Sequence, residues 1–267
     1  MRHSLTLILL LTLTACSIFS SDKDADPLKG LSAEEIYAQA KEQMAAASYE
    51  KAIKLFEGLQ ARYPYGRHAQ QAQLEMAYAY YKQDEPDSAL STIERFIKQY
   101  PNNPHVDYAY YLKGLVNFDE DLGLFGGVTQ PDLSERDPKS ARAAFDAFKD
   151  LVTRFPNSKY AADSRLRMQY LVNTLARHEI QVASYYLRRG AYTAAVNRAN
   201  SVLAEFPQTR AARDALQIMV QAYDAMGLKD LRDDAQRVLE LNIAKDGIRP
   251  GTKDSPENKA SWWHFWK

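Results

Sequence analysis

Tyr49-Glu50-Lys51-Ala52-Ile53-Lys54-Leu55-Phe56-Glu57-Gly58-Leu59-Gln60-Ala61-Arg62-Tyr63-Pro64 is the stretch that decides how the chain folds. Tyr49, Ala52, Ile53, Phe56, Leu59 and Tyr63 recur at three- and four-residue steps, so they share one face of a helix. Pro64 stops that helix, because proline has no N–H to continue the ladder. The arrangement returns downstream. Ala89-x-x-x-Ile93-x-x-Phe96 leads to Gln99-Tyr100-Pro101, and Ala144-x-x-x-Phe148-x-x-Leu151 leads to Arg154-Phe155-Pro156. Tyr192-x-x-Ala195-x-x-x-Ala199-x-x-Val202 leads to Glu205-Phe206-Pro207, and a weaker copy, Ala235-x-x-x-Leu239, follows. The small alanine lets two helices approach, and larger apolar side chains fill the gap beside it. One such pair cannot bury its own apolar face, so neighbours must stack.

The recurring Ala, aromatic and terminal Pro resemble the tetratricopeptide repeat, whose unit is ~34 residues. The resemblance implies an all-α fold, a right-handed α-solenoid of about five helix pairs over residues 32–242. At its start, Ser32 followed by Glu35 is a capping box, and Ile36, Tyr37, Ala40, Met44 and Ala47 fall on one face. Asn103-Pro104 and Asp137-Pro138 each pair a favoured N-cap with proline at the first helical position. Between them, residues 119–136 hold Gly123, Gly126, Gly127 and Pro131, so a loop is expected inside the third repeat, with Leu124 and Phe125 free to dock on a neighbour or simply to connect. Ser158 to Arg189 contains neither Gly nor Pro. It predicts one long helix, or two meeting near Arg177-His178; a continuous one would span roughly 48 Å.

The two ends differ from the body. Met1-Arg2-His3 precedes an apolar run from Leu5 to Leu13, too short to span a bilayer and the right length for a secretory leader. Leu13-Thr14-Ala15-Cys16 resembles a bacterial lipobox and contains the only cysteine of the chain. That resemblance implies a signal peptide over 1–15, cleavage before Cys16, acylation of Cys16, and, with Ser17 next, sorting to the outer membrane. Each buried CH₂ contributes roughly 0.8 kcal/mol, and more than one chain is needed for a stable anchor. Residues 16–31 then form a lipidated, flexible tether. Residues 243–267 are expected to be a disordered tail ending in Trp262-Trp263-His264-Phe265-Trp266, which holds all three tryptophans.

No residue pattern points to catalysis. Lys plus Arg and Asp plus Glu are 34 each, so no basic excess drives nucleic-acid binding. The chain lacks H-E-x-x-H, G-x-S-x-G, Walker A and G-x-G-x-x-G motifs. His3, His68, His105, His178 and His264 are scattered, and Asp119-Glu120-Asp121 lacks the ligand order of a calcium loop. No enzyme, cofactor or metal is therefore expected. Surface is what a repeat array offers. Tyr78, Tyr80 and Tyr81, then Tyr108, Tyr110 and Tyr111, fall on first helices of repeats, which line the concave side. About half are expected to pack between repeats, and the rest suit an extended, aromatic-bearing peptide.

Further stretches carry a narrower resemblance. Arg62-Tyr63-Pro64-Tyr65-Gly66, Ala77-Tyr78-Ala79-Tyr80-Tyr81-Lys82, Arg136-Asp137-Pro138, Ala141-Arg142-Ala143-Ala144-Phe145, and Arg189-Gly190-Ala191-Tyr192 through Val196-Asn197-Arg198 resemble the BamD (ComL) family, lipoproteins of the outer-membrane β-barrel assembly machinery. The Trp-rich tail has no counterpart in that pattern. The resemblance implies a lipid-anchored scaffold on the periplasmic face of the outer membrane. Its partners would be BamA, the other lipoproteins of the BAM complex, and C-terminal segments of unfolded outer-membrane proteins. Carried over by motif, Tyr63, Tyr78 and Tyr81 are candidates for substrate-peptide binding and Arg198 for binding BamA. An alternative is a tetratricopeptide lipoprotein that acts as a secretin pilotin or an envelope and division coordinator.

Overall fold

The computed structural model describes residues 28–122 and 138–246. The candidate leader 1–15, Cys16, the tether as far as 27, residues 123–137 and the tail from 247 lie outside the described residues. Ten helices fill what is described: α1 (Ala33–Ala45), α2 (Tyr49–Arg62), α3 (Arg67–Lys82), α4 (Pro86–Gln99), α5 (Val106–Leu122), α6 (Lys139–Arg154), α7 (Ala161–Arg188), α8 (Tyr192–Glu205), α9 (Ala211–Ala225) and α10 (Lys229–Asp246). No strand occurs among the described residues, so the fold is all-α.

The repeated sequence triads are the core. Ala52, Phe56 and Leu59 of α2, Ala89, Ile93 and Phe96 of α4, Ala144, Phe148 and Leu151 of α6, and Ala195, Ala199 and Val202 of α8 are all essentially without solvent contact. Ala235 and Leu239 of α10, the weaker copy, are buried too. Two kinds of turn repeat with them. At each aromatic-Pro stop the aromatic caps the preceding helix, and its N–H donates to the carbonyl four residues back at 2.8 Å: Tyr63 to Leu59, Tyr100 to Phe96, Phe155 to Leu151, Phe206 to Val202. The following proline keeps that residue out of the helical region.

The second turn closes each described pair. Ala47, Asp84, Gly190 and Gly227 take φ of 53°, 61°, 75° and 73° at the same place after α1, α3, α7 and α9. Each is followed by a residue whose N–H reaches five residues back: Ser48 to Gln43, Glu85 to Tyr80, Ala191 to Tyr186, Leu228 to Tyr223. This is the Schellman closure of a helix C-terminus, in which the left-handed residue is usually glycine. Ala47 therefore belongs to a turn and not to the apolar face of α1, which its spacing had suggested.

The chain divides into two compact units, one ending at Glu85 and the other beginning at Pro86. In the first, α1, α2 and α3 pack on one another around Ile36, Ala40, Phe56, Ala72 and Met76. In the second, consecutive helices from α4 to α10 pack in sequence, and α7 also touches α9. Contacts between one helix and the next but one, α1 with α3 and α7 with α9, are those of stacked helix pairs.

Several boundaries move. Ser32 and Glu35 form the expected capping box, with Ser32 N–H donating to Glu35 Oε2 at 2.8 Å and Glu35 N–H to Ser32 Oγ at 3.2 Å. Asn103 does not cap a helix. Its Oδ1 accepts from the His105 N–H at 2.9 Å in a local turn, and α5 begins only at Val106. Pro138 sits at the N-cap of α6 rather than inside it, and Asp137 lies outside the described residues. The inserted loop cannot start at residue 119, because α5 continues to Leu122; three acidic residues do not break a helix, and the first glycine is Gly123. α7 is one uninterrupted helix of 28 residues with no break near Arg177-His178; Ser158 to Tyr160 form the turn before it. α10 runs to Asp246, past residue 242.

The end of the tether is held. Leu28 is buried in the first unit's core, and Arg62 Nη1 donates to its carbonyl at 2.8 Å. A Cβ at Gly58 would collide with the Leu28 side chain, so glycine at this point of α2 makes room for the entering chain. Residues 28–31 are therefore fixed against α2.

Candidate interaction surfaces

The candidate residues separate into three places. Tyr63 ends α2, and its hydroxyl donates to the Leu31 carbonyl at 2.7 Å. With Arg62 it clasps the incoming segment, while its ring stays exposed beside the fully open Tyr65. Tyr78 and Tyr81 lie near the other end of α3. Their rings are 6.2 Å apart at 55°, both half-buried, and the Lys82 ammonium stands 5.8 Å above the Tyr81 ring. At 1.5 Å per residue, Tyr78 is about 16 Å along α3 from the end that follows Tyr63. The structure thus pairs Tyr78 with Tyr81 and gives Tyr63 a different neighbour.

The second tyrosine group does not line a groove. Tyr111 stacks on Tyr160 (4.6 Å, 15°), meets Phe148 at 6.1 Å, and donates its hydroxyl to Asp163 Oδ2 at 2.7 Å. Tyr110 packs on Phe155, with the Arg154 guanidinium 5.4 Å from its ring, and Tyr108 packs on Tyr160 at 5.5 Å. These rings join α5 to α6 and to the start of α7, so they are inter-repeat packing. Arg167 Nε bonds the same Asp163 oxygen at 2.8 Å, and its guanidinium lies 4.9 Å from the Phe118 ring. Burial, followed by the bond to Asp163, pushes the Tyr111 phenol well above its ordinary range.

Arg198 belongs to a network across three helices. Glu179, on the buried face of α7, has a side chain only 7% exposed. Arg198 Nη1 of α8 meets its Oε2 at 3.1 Å, and Arg142 Nη2 of α6 meets its Oε1 at 3.4 Å. Arg142 Nη1 also reaches Glu205 Oε2 at 3.5 Å. The two arginines are 48% and 46% exposed; Arg142 turns its terminal nitrogens to Glu179 and Glu205, whereas Arg198 anchors one to Glu179 and keeps part of its guanidinium at the surface. The arrangement compensates a buried carboxylate that would otherwise be costly. It also holds the planar cation of Arg198 in a fixed position at the surface, a geometry suited to carboxylate recognition.

Sequence reasoning singled out Arg198 and missed Glu179. The signal was present: Leu171, Leu175, Glu179 and Ala183 occupy one row at four-residue steps, and Glu179 is the single charge in it. A carboxylate on an apolar row demands a cation from a neighbouring helix.

Among the described residues no group of three or more His, Cys, Asp or Glu could hold a metal ion. An open cleft of about 420 Å³ lies between the Asn103-Pro104 turn and the Phe155-Pro156 turn. Its polar groups face one another, with Ser158 Oγ donating to Asp107 Oδ2 at 2.7 Å. No described helix is long and apolar enough to cross a membrane.

Comparison with known proteins agrees from end to end. The family described as Outer membrane lipoprotein (YfiO) matches residues 29–238. An outer membrane protein assembly factor BamD of Neisseria meningitidis serogroup A is 45% identical over 263 residues, 98% of either chain. The BamD of Xylella fastidiosa strain 9a5c is 39% identical over 90% of this chain and 78% of its own. That of Vibrio cholerae is 36% identical over 84% of this chain and 93% of its own. Sharing residues across both compact units with these proteins, the chain belongs to the BamD family of outer-membrane lipoproteins.

Proposed function

We propose that the chain is a non-catalytic scaffold in the assembly of outer-membrane β-barrel proteins, working in the periplasm at the outer membrane. The observation that carries this reading is the 45% identity to an assembly factor across 98% of both chains. The all-α fold supports it, since stacked helix pairs offer extended surfaces for partners. In this reading Cys16 carries the acyl chains, and the clasp of Arg62 and Tyr63 on residues 28–31 sets where the anchored segment meets the first repeat.

Two contacts then divide the work. The Tyr78–Tyr81 pair, with the exposed ring edge of Tyr63 elsewhere on the same unit, offers aromatic surface to extended C-terminal segments of unfolded barrels. Arg198, fixed by Glu179, presents a cation to BamA. Confinement to a bilayer raises the effective concentration of each partner, so weak contacts combine without nucleotide or metal.

Arg198→Ala and Arg198→Glu test the second contact by copurification from detergent-solubilised envelopes. Glu179 keeps Arg142 in both variants, so the helical circular dichroism signal is expected to persist. Recovery of the barrel subunit should fall about tenfold or more, as on losing one side of a desolvated charge pair. Undiminished recovery would remove Arg198 from the interface.

A further inference from the structure

α10 carries a buried apolar face and an exposed apolar row beside it. The buried face, with Ala235 and Leu239, packs toward α9. Along the edge of that face Leu231, Val238 and Leu241 are 46%, 43% and 65% exposed. Steps of seven and three residues place them in a single row, and exposed Leu228 extends it just before the helix. An outward helix face normally carries polar side chains, and an outermost repeat needs one. This row has no described element over it.

The sequence beyond α10 has the complementary chemistry. Residues 247–267 hold all three tryptophans, at Trp262, Trp263 and Trp266, together with Phe265. Their charged residues are Arg249, Lys253, Lys259 and Lys267 against Asp254 and Glu257, a cationic balance. Around the apolar row Asp230, Asp233 and Asp234 are exposed, with Arg237 paired to Asp234. Reach is ample. The residues between Asp246 and Trp262 span about 50 Å when extended, whereas α10, with 18 residues, is about 27 Å long. Pro250-Gly251 is a turn-forming dipeptide placed soon after the helix, as a reversal requires.

We propose that the Trp262–Trp266 segment folds back and seats on the Leu231–Val238–Leu241 row, so that the chain caps its own last described helix. The proposal is independent of the role in barrel assembly, because it concerns a contact within one chain. It explains why α10 keeps an exposed apolar row, and why the tryptophans concentrate outside every repeat.

The test places photoreactive benzoylphenylalanine at position 263 of the full chain and irradiates intact cells. The expected product is a monomeric intrachain cross-link from position 263 to a peptide within 229–246. Val238→Lys with Leu241→Lys, both at exposed positions and so compatible with folding, should lower its yield about tenfold. Cross-links that go only to lipid, to a second copy or to another protein would overturn the proposal, as would a yield indifferent to the double substitution. A second measurement uses the purified full chain. Every tryptophan lies in the segment, so intrinsic tryptophan fluorescence reports it alone. Iodide quenching should rise severalfold in the double variant; equal quenching in both proteins would refute seating on this row.

Discussion

The tetrapeptide Tyr-Ala-Tyr-Tyr occurs twice, at Tyr78-Ala79-Tyr80-Tyr81 in α3 and at Tyr108-Ala109-Tyr110-Tyr111 in α5. Both alanines are fully buried, so both copies sit in the same rotational register. The tyrosines nevertheless differ. In α5, Tyr110 and Tyr111 are buried among Phe148, Phe155 and Tyr160; in α3, Tyr78, Tyr80 and Tyr81 are half-buried. The difference is position along the helix. The α3 copy occupies the last turn, just before the left-handed Asp84 closes it, whereas the α5 copy occupies the first turn and the helix runs on to Leu122. The first turn of α5 faces the Phe155-Pro156 stop and the start of α7, which supply rings and the Asp163 carboxylate. Local composition thus fixes which residues share a face, while the neighbouring helix decides which face is core.

Truncation should separate the two copies most widely. Tyr111→Ala removes a buried ring wedged between three helices and is expected to cost about 3–5 kcal/mol in chemical denaturation. Tyr81→Ala, at the half-buried copy, should cost no more than about 1 kcal/mol. Equal losses would show that the two tetrapeptides are used alike. A smaller contrast concerns the glycines. A Cβ at Gly114, three residues after Tyr111, would strike the Phe148 ring, itself locked among Tyr111 and Phe118. Gly114→Ala should therefore destabilise by about 1–3 kcal/mol, despite alanine's better helix propensity. At Gly58 the obstacle is the tip of the Leu28 side chain, which can rotate away. Gly58→Ala should stay within about 1 kcal/mol of the parent, and a loss matching that of Gly114→Ala would mean that residues 28–31 are held more rigidly than side-chain packing requires.

Much of this was legible in the sequence, and the exceptions have physical causes. Helix faces follow from spacing, so the Ala, Phe and Leu triads and the aromatic-Pro stops were readable before any coordinates. The Schellman turns were not, because two of the four place Ala47 and Asp84 where glycine would have announced the turn. Proline misled at Asn103-Pro104 and Asp137-Pro138, since the residue before a proline is as readily a turn as a cap. Of the candidate site residues, Arg198 was singled out by motif; the lone carboxylate of Glu179 on an apolar row announced a cation partner, but which arginines supply it depends on the packing of α6, α7 and α8. About half of the six tyrosines were expected to pack between repeats, but which ones could not be read for the same reason. A tyrosine at helical spacing looks identical whether its partner is solvent or another repeat.

Alkaline titration gives the finest separation between the two units. Burial, then the nearby Glu75 carboxylate, pushes the Tyr37 phenol up to about 12. Burial and the bond to Asp163 raise that of Tyr111, with the Arg167 cation acting in the opposite sense. In the unfolded chain both phenols ionise near pH ~10. Each therefore contributes stability that is complete below about pH 10 and is lost as pH rises toward its folded value, because the unfolded state sheds the proton first. The denaturation midpoint should fall as pH rises from about 10 to 12, and Tyr37→Phe should flatten the part of that fall carried by the first unit. Tyr111→Phe should flatten the part carried by the second while retaining the stacked ring, at a fixed cost of about 1 kcal/mol for the lost hydrogen bond. A pH slope unchanged in Tyr111→Phe would mean that this hydroxyl meets water in solution. The contrast between the two Tyr-Ala-Tyr-Tyr copies would then rest on the rings alone, not on the Asp163 bond.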